Sequence, residues 1–411
     1  LDPAVLTLAL FAMASGFGQF GAVSALGDVA KAFGHATGGT TIADRAGLSG
    51  TELGIGLAVL RLASIGGLPL AGMADRLGRR AVLLWSCAAG LVLTVVAAAS
   101  PGYWWFVVIF AIGRPMLSAT NAVAQVGAAE ETDRHDRAKA IALIAAGYAV
   151  GSGVTAVLHG LANSVLGFRG LFALAAVPLV AVVALRGRLV ESDRFTAAAA
   201  VPDHPMPVFG AVGPRFRRRL ALVTLLAFAV AVVTGPANSF VFVYAQNVLR
   251  LPGGATAAMV VVAGPVGLVG LLAGRWLADH VGRRVGGAIG LVGMAIAAMV
   301  TYSGSHLALY GGYELAAVSG GMFAPAAGAL ANELFPTSVR ASVAGWNVAA
   351  SVAGAVTGLL VFGAVADVGN RFAVGALVTF LPMVAAAGLF WLLPETKGHE
   401  PEELWPEPAG Q

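Results

Sequence analysis

Charge is scarce in this chain. Asp, Glu, Lys and Arg make up 11% of its 411 residues, against roughly a quarter in a soluble globular domain. That shortage excludes a soluble fold with a solvated surface. Cysteine occurs once, at Cys87 inside an apolar stretch, which excludes a disulfide framework and leaves no redox pair. No Walker loop, no spaced His or Cys set and no nucleophile–base pair can be found. Nucleotide hydrolysis, a metal site and acyl-transfer catalysis therefore have no residues to carry them; neither an enzyme nor a cofactor is expected. The formal net charge of +4 and the pI near 9.5 do not point to nucleic acid. The basic residues sit mostly in short loops between apolar segments, where they act as orientation signals.

Apolar sequence is abundant. Hydrophobic residues are 58% of the chain, mean hydropathy is +0.83, and there are 55 glycines. Twelve apolar segments can be marked: 4–31, 50–73, 81–100, 103–128, 138–160, 169–186, 219–244, 256–278, 285–303, 307–332, 341–367 and 372–393. Most are long enough to cross a bilayer as helices, which need about 20 residues because lipid offers the backbone no other hydrogen-bond partner. The first is too long for the core of a signal peptide, so it reads as a span. The glycines read as packing residues that let helices approach closely in lipid.

Four charged signatures occur twice, each pair about 203 positions apart and each at the edge of an apolar segment. Ala74-Asp75-Arg76-Leu77-Gly78-Arg79-Arg80 returns as Ala278-Asp279-His280-Val281-Gly282-Arg283-Arg284. Glu130 followed by Arg137 and Ala138 returns as Glu333 followed by Arg340 and Ala341. Arg169 and Arg371 open the last span of each half, and Glu191 corresponds to Glu395. A duplication of this kind predicts an all-α integral membrane protein of twelve transmembrane helices, two six-helix halves related by a pseudo-two-fold axis. The expected layout is an N-terminal half over 1–186, a linker over 187–218, a C-terminal half over 219–393 and a tail over 394–411. Of the 25 lysines and arginines, five (Lys31, Arg45, Arg169, Arg250, Arg371) fall on one side and two (Arg61, Arg114) inside spans, leaving 18 on the other. That bias places both termini, the linker and the tail in the cytoplasm of a multi-pass cell-membrane protein.

These residues resemble the major facilitator superfamily along nearly the whole chain. Asp75, Arg76, Gly78, Arg79 and Arg80 match the family's loop signature, with Ala71 at the place of its first glycine. Glu333, Pro336 and Arg340, with the Pro394-Glu395-Thr396-Lys397-Gly398 ending, are similar to the sugar-porter and metabolite–proton symporter branches. The resemblance implies a gate on the cytoplasmic side. Asp75 would meet the start of the eleventh helix near Arg340, and Asp279 the start of the fifth near Arg137. Such contacts join the halves when that side is closed, through a carboxylate–guanidinium pair and a helix dipole. Arg79, Arg80, Glu130, Arg283, Arg284 and Glu333 belong to the same clusters; setting topology is the alternative role for the arginines.

Histidines aside, three ionisable groups lie well inside the spans: Arg61, Arg114 and Glu314. A charge at a helix centre costs about 2.5 to 3.5 kcal/mol on insertion scales, so each should face a cavity or a partner. Ser118, Asn121 and Gln125 continue one helical face from Arg114. Gln19, Asn238, Tyr244, Trp346 and Asn347 are further candidates for the cavity wall, and so is the stripe Tyr148, Ser152, Thr155 and His159, with His159 near the outer end. Polar bonding between helices is the alternative role for each of these. Arg61 and Arg114 could instead pair with backbone or with Glu314. Glu314, beside Tyr310 and Tyr313, is the candidate proton carrier.

Together these features predict a monomeric secondary transporter working by alternating access. It would move a small anionic or zwitterionic metabolite, with protons, by symport. A drug or lipid exporter of the same fold is the first alternative. A non-transporting sensor is a more distant one, because the linker and tail are too short for a signalling domain.

Overall fold

The structure is a computed structural model that describes residues 3–35, 37–132, 136–189, 191, 210 and 212–398. Most of the expected linker, and the tail beyond residue 398, lie outside the described residues. Among the described residues twelve helices are long and apolar enough to cross a membrane. They are span 1 (Pro3–Ser24), span 2 (Gly50–Leu77), span 3 (Arg79–Ala97), span 4 (Tyr103–Glu130), span 5 (Lys139–Ala162) and span 6 (Val165–Leu185). The second half holds span 7 (Pro214–Val248), span 8 (Gly253–His280), span 9 (Arg283–Thr301), span 10 (His306–Ala331), span 11 (Val339–Gly369) and span 12 (Phe372–Leu392).

The two halves repeat one packing scheme. Span 1 lies on span 5 as span 7 lies on span 11; span 2 on span 4 as span 8 on span 10; span 3 on spans 4 and 6 as span 9 on spans 10 and 12. Glycine permits the tightest of these contacts. A Cβ on Gly151 would stand 1.9 Å from the Met13 carbonyl oxygen of span 1, and one on Gly354 would stand 2.2 Å from that of Phe228 in span 7. The halves meet where span 2 packs on span 11 and span 5 on span 8. Large aliphatic and aromatic side chains such as Trp105, Val180, Val269 and Trp391 are exposed on the flanks, as a helix facing lipid requires.

Several helices depart from the segments marked by hydropathy. The first ends at Ser24, and a separate short helix, Leu26–Phe33, follows. Span 2 tightens to a 3₁₀ turn at Ser64–Gly66. Pro69 explains it: the proline lacks an N–H and its ring crowds the carbonyl four residues back, at Ile65. Spans 5 and 6 run on through Gly167, whose φ of 56° turns the chain. Span 7 ends in a π-helical turn, Tyr244–Val248, which carries Gln246 and Asn247 to the contact between halves.

With an even number of spans, the described chain begins and ends at one face, called here the terminal face. The short helices Leu26–Phe33 and Ile42–Ala46 lie at the opposite, distal face.

Candidate functional site

At the terminal face the repeated signatures come together within each half. Gly78 has φ 92°, a conformation open to glycine, and it ends span 2 so that span 3 starts with unpaired N–H groups. Glu191 accepts them, from Arg79 N at 2.7 Å and Arg80 N at 3.2 Å. The Arg79 guanidinium then binds Glu130 through Nε at 2.5 Å and Nη2 at 2.6 Å, and Asp75 at 3.3 Å. The second half repeats the device. Gly282 has φ 149°, and Glu395 accepts from Arg283 N at 2.9 Å and Arg284 N at 3.1 Å. Arg283 reaches Glu333 at 3.4 Å and Asp279 at 3.8 Å. Burial pushes the Glu395 carboxyl up, but backbone N–H donors from Arg283, Arg284, Lys397 and Thr396 outweigh it and hold the group below its ordinary value. Glu191 and Glu395 were legible as a repeated pair; their capping role was not, because it depends on where spans 6 and 12 end in space.

Of the contacts expected to join the halves at this face, the one between Asp75 and Arg340 is not formed among the described residues. Asp75 is 69% exposed and pairs with Arg79 in its own half. Arg340 donates from Nε to the Phe335 carbonyl at 3.0 Å. Asp279 pairs with Arg275 and Arg283 at 3.9 and 3.8 Å. The side chain of Arg137 lies outside the described residues.

Hydrogen bonds between the halves gather instead at the distal face. Asp367, near the end of span 11, accepts from Gly50 N at 2.7 Å, Thr51 N at 2.7 Å and Thr51 Oγ1 at 2.5 Å at the start of span 2. The carboxylate therefore satisfies free N–H groups at the positive end of a helix in the other half. Asn247 Nδ2 donates to the carbonyls of Gly27 at 2.8 Å and Ala46 at 3.0 Å. Beside them, within the N-terminal half, His159 Nε2 stands 2.5 Å from Asp28 Oδ2. Gly160 and Gly253 bring spans 5 and 8 together so closely that a Cβ on Gly160 would stand 2.5 Å from the Gly253 carbonyl oxygen. Sequence reading missed Asp367, Thr51 and Asn247 as a group, since nothing in their spacing links them.

A cavity of about 440 Å³ lies on the terminal side of these contacts. Among the described residues it is walled by spans 7, 10, 11 and 12, with Arg61 of span 2 as its one lining residue from the N-terminal half. Asn347, Ser351 and Thr234 supply its other polar groups, against a mostly apolar wall that includes Phe323 and Phe390. Arg114 is within electrostatic reach of Arg61, and Tyr148 of both. Arg114 Nη1 reaches the Gln19 carbonyl at 3.5 Å, and its Nε has no partner. Among the described residues neither arginine has a carboxylate within 4.0 Å, so the structure does not pair either of them with Glu314. Gln19 Nε2 donates to Ser15 Oγ at 3.0 Å. Asn121 Oδ1 and Asn347 Oδ1 are buried without a donor.

The other candidates are dispersed. Asn238 lines a separate cavity of about 240 Å³ with Tyr313; Thr234 borders both cavities. Glu314, beside Tyr313, is half-buried with an unpartnered Oε2 and lines neither cavity. Tyr244 was expected in the cavity wall, but it packs in an aromatic cluster with Tyr302 and Phe372. Trp346 is 43% exposed and donates to the Gly210 carbonyl at 3.4 Å.

Twelve membrane-length helices in two halves that repeat one packing scheme define a membrane transport protein rather than an enzyme. The chain belongs to the Major Facilitator Superfamily, which it matches over residues 8–284 and 265–409. It is 26% identical over 353 residues to a putative metabolite transport protein of Haemophilus influenzae, covering 82% of this chain and 85% of that one. It is 26% identical over 372 residues to a probable 4-methylmuconolactone transporter of Cupriavidus pinatubonensis, covering 86% of this chain and 84% of the relative. Among solved structures it shares its fold with the inward-open xylose transporter XylE from E. coli, at a TM-score of 0.74 and 17% identity over 97% of this chain and 98% of that one. The nucleoside transporter NupG gives a TM-score of 0.76 at 13% identity, over 95% and 99%.

Proposed function

We propose that this protein is a proton-coupled secondary transporter that moves a small anionic or zwitterionic metabolite by alternating access. The observation that carries the proposal is a cavity lined by the Arg61 guanidinium, with Arg114 within electrostatic reach of it, neither having a carboxylate within 4.0 Å among the described residues. Positive charge held in an apolar setting without a counter-ion favours a ligand that brings one. Asn347 Oδ1, unpartnered in the same wall, asks for a donor such as a hydroxyl or ammonium group on that ligand. The two curated relatives are named for metabolite and 4-methylmuconolactone transport, which suits a small organic acid. The excess of Lys and Arg at the terminal face supports a cytoplasmic position for it. With the halves joined at the distal face, this conformation is inward-facing. Asp75, Arg340, Asp279 and Arg137 would then meet across the halves in the outward-facing state.

Counterflow of a panel of small carboxylates in proteoliposomes tests the proposal. Arg61→Lys and Arg114→Lys should each weaken binding of the transported acid about tenfold or more, because lysine lacks the planar two-bond fork. Full transport of an anion by the double Arg→Gln variant, or a purely cationic substrate, overturns it. Glu314 is the proposed proton carrier, so Glu314→Gln should keep counterflow and lose accumulation driven by a pH gradient. The mostly apolar lining of the cavity favours one second reading, export of an amphiphile; binding of lipophilic cations rather than carboxylates would select it.

A further inference from the structure

The distal contact between the halves holds a titratable pair that substrate binding does not use. His159, on span 5, is 2% exposed. Its Nε2 stands 2.5 Å from Asp28 Oδ2 in the same half. Its Nδ1 stands 3.5 Å from Gln246 Nε2, on span 7 of the other half. Gln246 Nε2 also approaches Thr256 Oγ1 at 3.4 Å. Both contacts of this amide nitrogen are long for hydrogen bonds. With Gln246 donating to Nδ1, the ring is neutral and its Nε2–H points to Asp28.

That arrangement leaves two buried acceptors without donors, Gln246 Oε1 and Asn247 Oδ1. They lie side by side against Gly27, where an added Cβ would meet them at 2.8 and 3.1 Å. Turning the Gln246 amide by half a rotation exchanges its oxygen and nitrogen in the same space. Oε1 then faces His159 Nδ1, and Nε2 faces Asn247 Oδ1. Asn247 gains its donor, and, because the Thr256 hydroxyl donates to the Gly253 carbonyl at 2.8 Å, Gln246 Oε1 gains one only if Nδ1 carries a proton. The turned amide therefore matches an Asp28–His159 pair holding one more proton.

We propose that Asp28 and His159 form a proton-binding site at the distal seam, and that the bound proton fastens the two halves through Gln246. The proposal rests on the alternating-access reading, because Gln246 must leave the ring when the distal face opens. Asp28 is the ionisable group in contact with the ring. Span 7 presents Gln246 and Asn247, span 8 presents Thr256, and span 1 carries no ionisable group. Lys31, Arg45, Arg169 and Arg250 stand elsewhere on this face, and no described contact puts them on the ring. Linkage makes the effect reciprocal: closure raises proton affinity at the pair, and protonation favours closure by the same factor. The site thus reads the acidity of the distal compartment and reports it as closure of the distal gate.

Spin labels at Pro101→Cys and Ser303→Cys, on distal loops of opposite halves, in a Cys87→Ala background, measure that closure in purified protein without substrate. The expected result is a closed fraction that falls as pH rises, a flat profile for His159→Gln, and a midpoint displaced at least about tenfold in proton concentration, to lower pH, for Asp28→Asn. Gln246→Leu provides the second variant should His159→Gln fail to fold; it should also give a flat profile, having lost the link to the other half. A parent protein without pH dependence, or an unchanged midpoint in both His159→Gln and Gln246→Leu, overturns the proposal. Since no substrate is used, failure here leaves the carboxylate counterflow result standing, and failure of counterflow leaves this one readable.

Discussion

At the distal face, a carboxylate at the end of span 11 caps the start of span 2: Asp367 accepts three hydrogen bonds from Gly50 and Thr51. At the terminal face, a carboxylate at the end of span 2, Asp75, stands mostly in solvent and does not reach Arg340 at the start of span 11. The same two antiparallel helices thus carry one acid at each end, aimed at the other's N-terminus. One is engaged while the other is free of its cross-half partner. Two packed bodies that meet along span 2 against span 11 and span 5 against span 8 can close at one end only by parting at the other. The chemistry at both ends is alike, a carboxylate against free N–H groups and a helix dipole, so neither end is favoured by kind. What differs is the number of hydrogen bonds made.

The largest effect should come from breaking the engaged end. Asp367→Ala removes an acceptor of three charge-assisted bonds, and should shift the equilibrium by about 2 to 4 kcal/mol away from the distal-closed state. Cysteines placed in the terminal-face cavity should label more slowly in this variant; unchanged labelling would show that the cap does not hold the face shut.

The next comparison is between halves. Glu130 holds Arg79 through a hydrogen bond at 2.6 Å and an ion-pair contact at 2.5 Å, whereas Glu333 meets Arg283 at 3.4 Å. Both pairs are partly buried, so Glu130→Gln should cost about 1.5 to 3 kcal/mol and Glu333→Gln about half as much. Thermal unfolding of the two variants in one detergent measures the difference. Equal losses would mean that the closer geometry carries no extra stability.

Smaller again is the effect of the caps. Glu191→Gln and Glu395→Gln should each lower stability by about 1 to 2 kcal/mol, the range of N-cap loss. The carboxyl of Glu395 is held below its ordinary value of 4.5. Its contribution is therefore complete above about pH 4.5 and disappears as pH falls through the lower folded-state value. Unfolding followed from pH 6 downward should show less acid sensitivity in Glu395→Gln than in the parent. A parallel pH profile would contradict the assignment.

Asp75→Asn should change the stability of this conformation least, by under about 1 kcal/mol, since an exposed ion pair with Arg79 is all it loses here. If Asp75 caps span 11 in the opposite state, the same variant should raise labelling of the terminal-face cavity. Asp367→Ala and Asp75→Asn would then move one equilibrium in opposite directions, and a shift in the same direction would break the comparison.

The sequence by itself determined twelve spans and their duplication. Lipid leaves a helix backbone no external partner, so every crossing segment must be a long apolar run, and such runs are visible residue by residue. It also determined which residues mark the boundaries, because Asp75 to Arg80, Glu130 and Glu191 return as Asp279 to Arg284, Glu333 and Glu395. Helix breaks were harder to read: Pro69 acts within one turn of span 2, and the gap marked between the segments 138–160 and 169–186 did not show that the chain turns at Gly167 alone. Only the tertiary structure decided the partners. Asp75 has Arg79 four residues away and Arg340 in the other half; which it meets depends on how two bodies lean against each other. Asp367 bonds to residues more than 300 positions distant, and Tyr244 turns into an aromatic cluster instead of the cavity. Arg61 and Arg114 were legible as charges needing a cavity; that they stand without a carboxylate was not. Span formation is a contest between short stretches of chain and lipid, settled locally. Partner choice is a contest between distant surfaces that differ by a few hydrogen bonds, and it is settled by the relative position of the two halves.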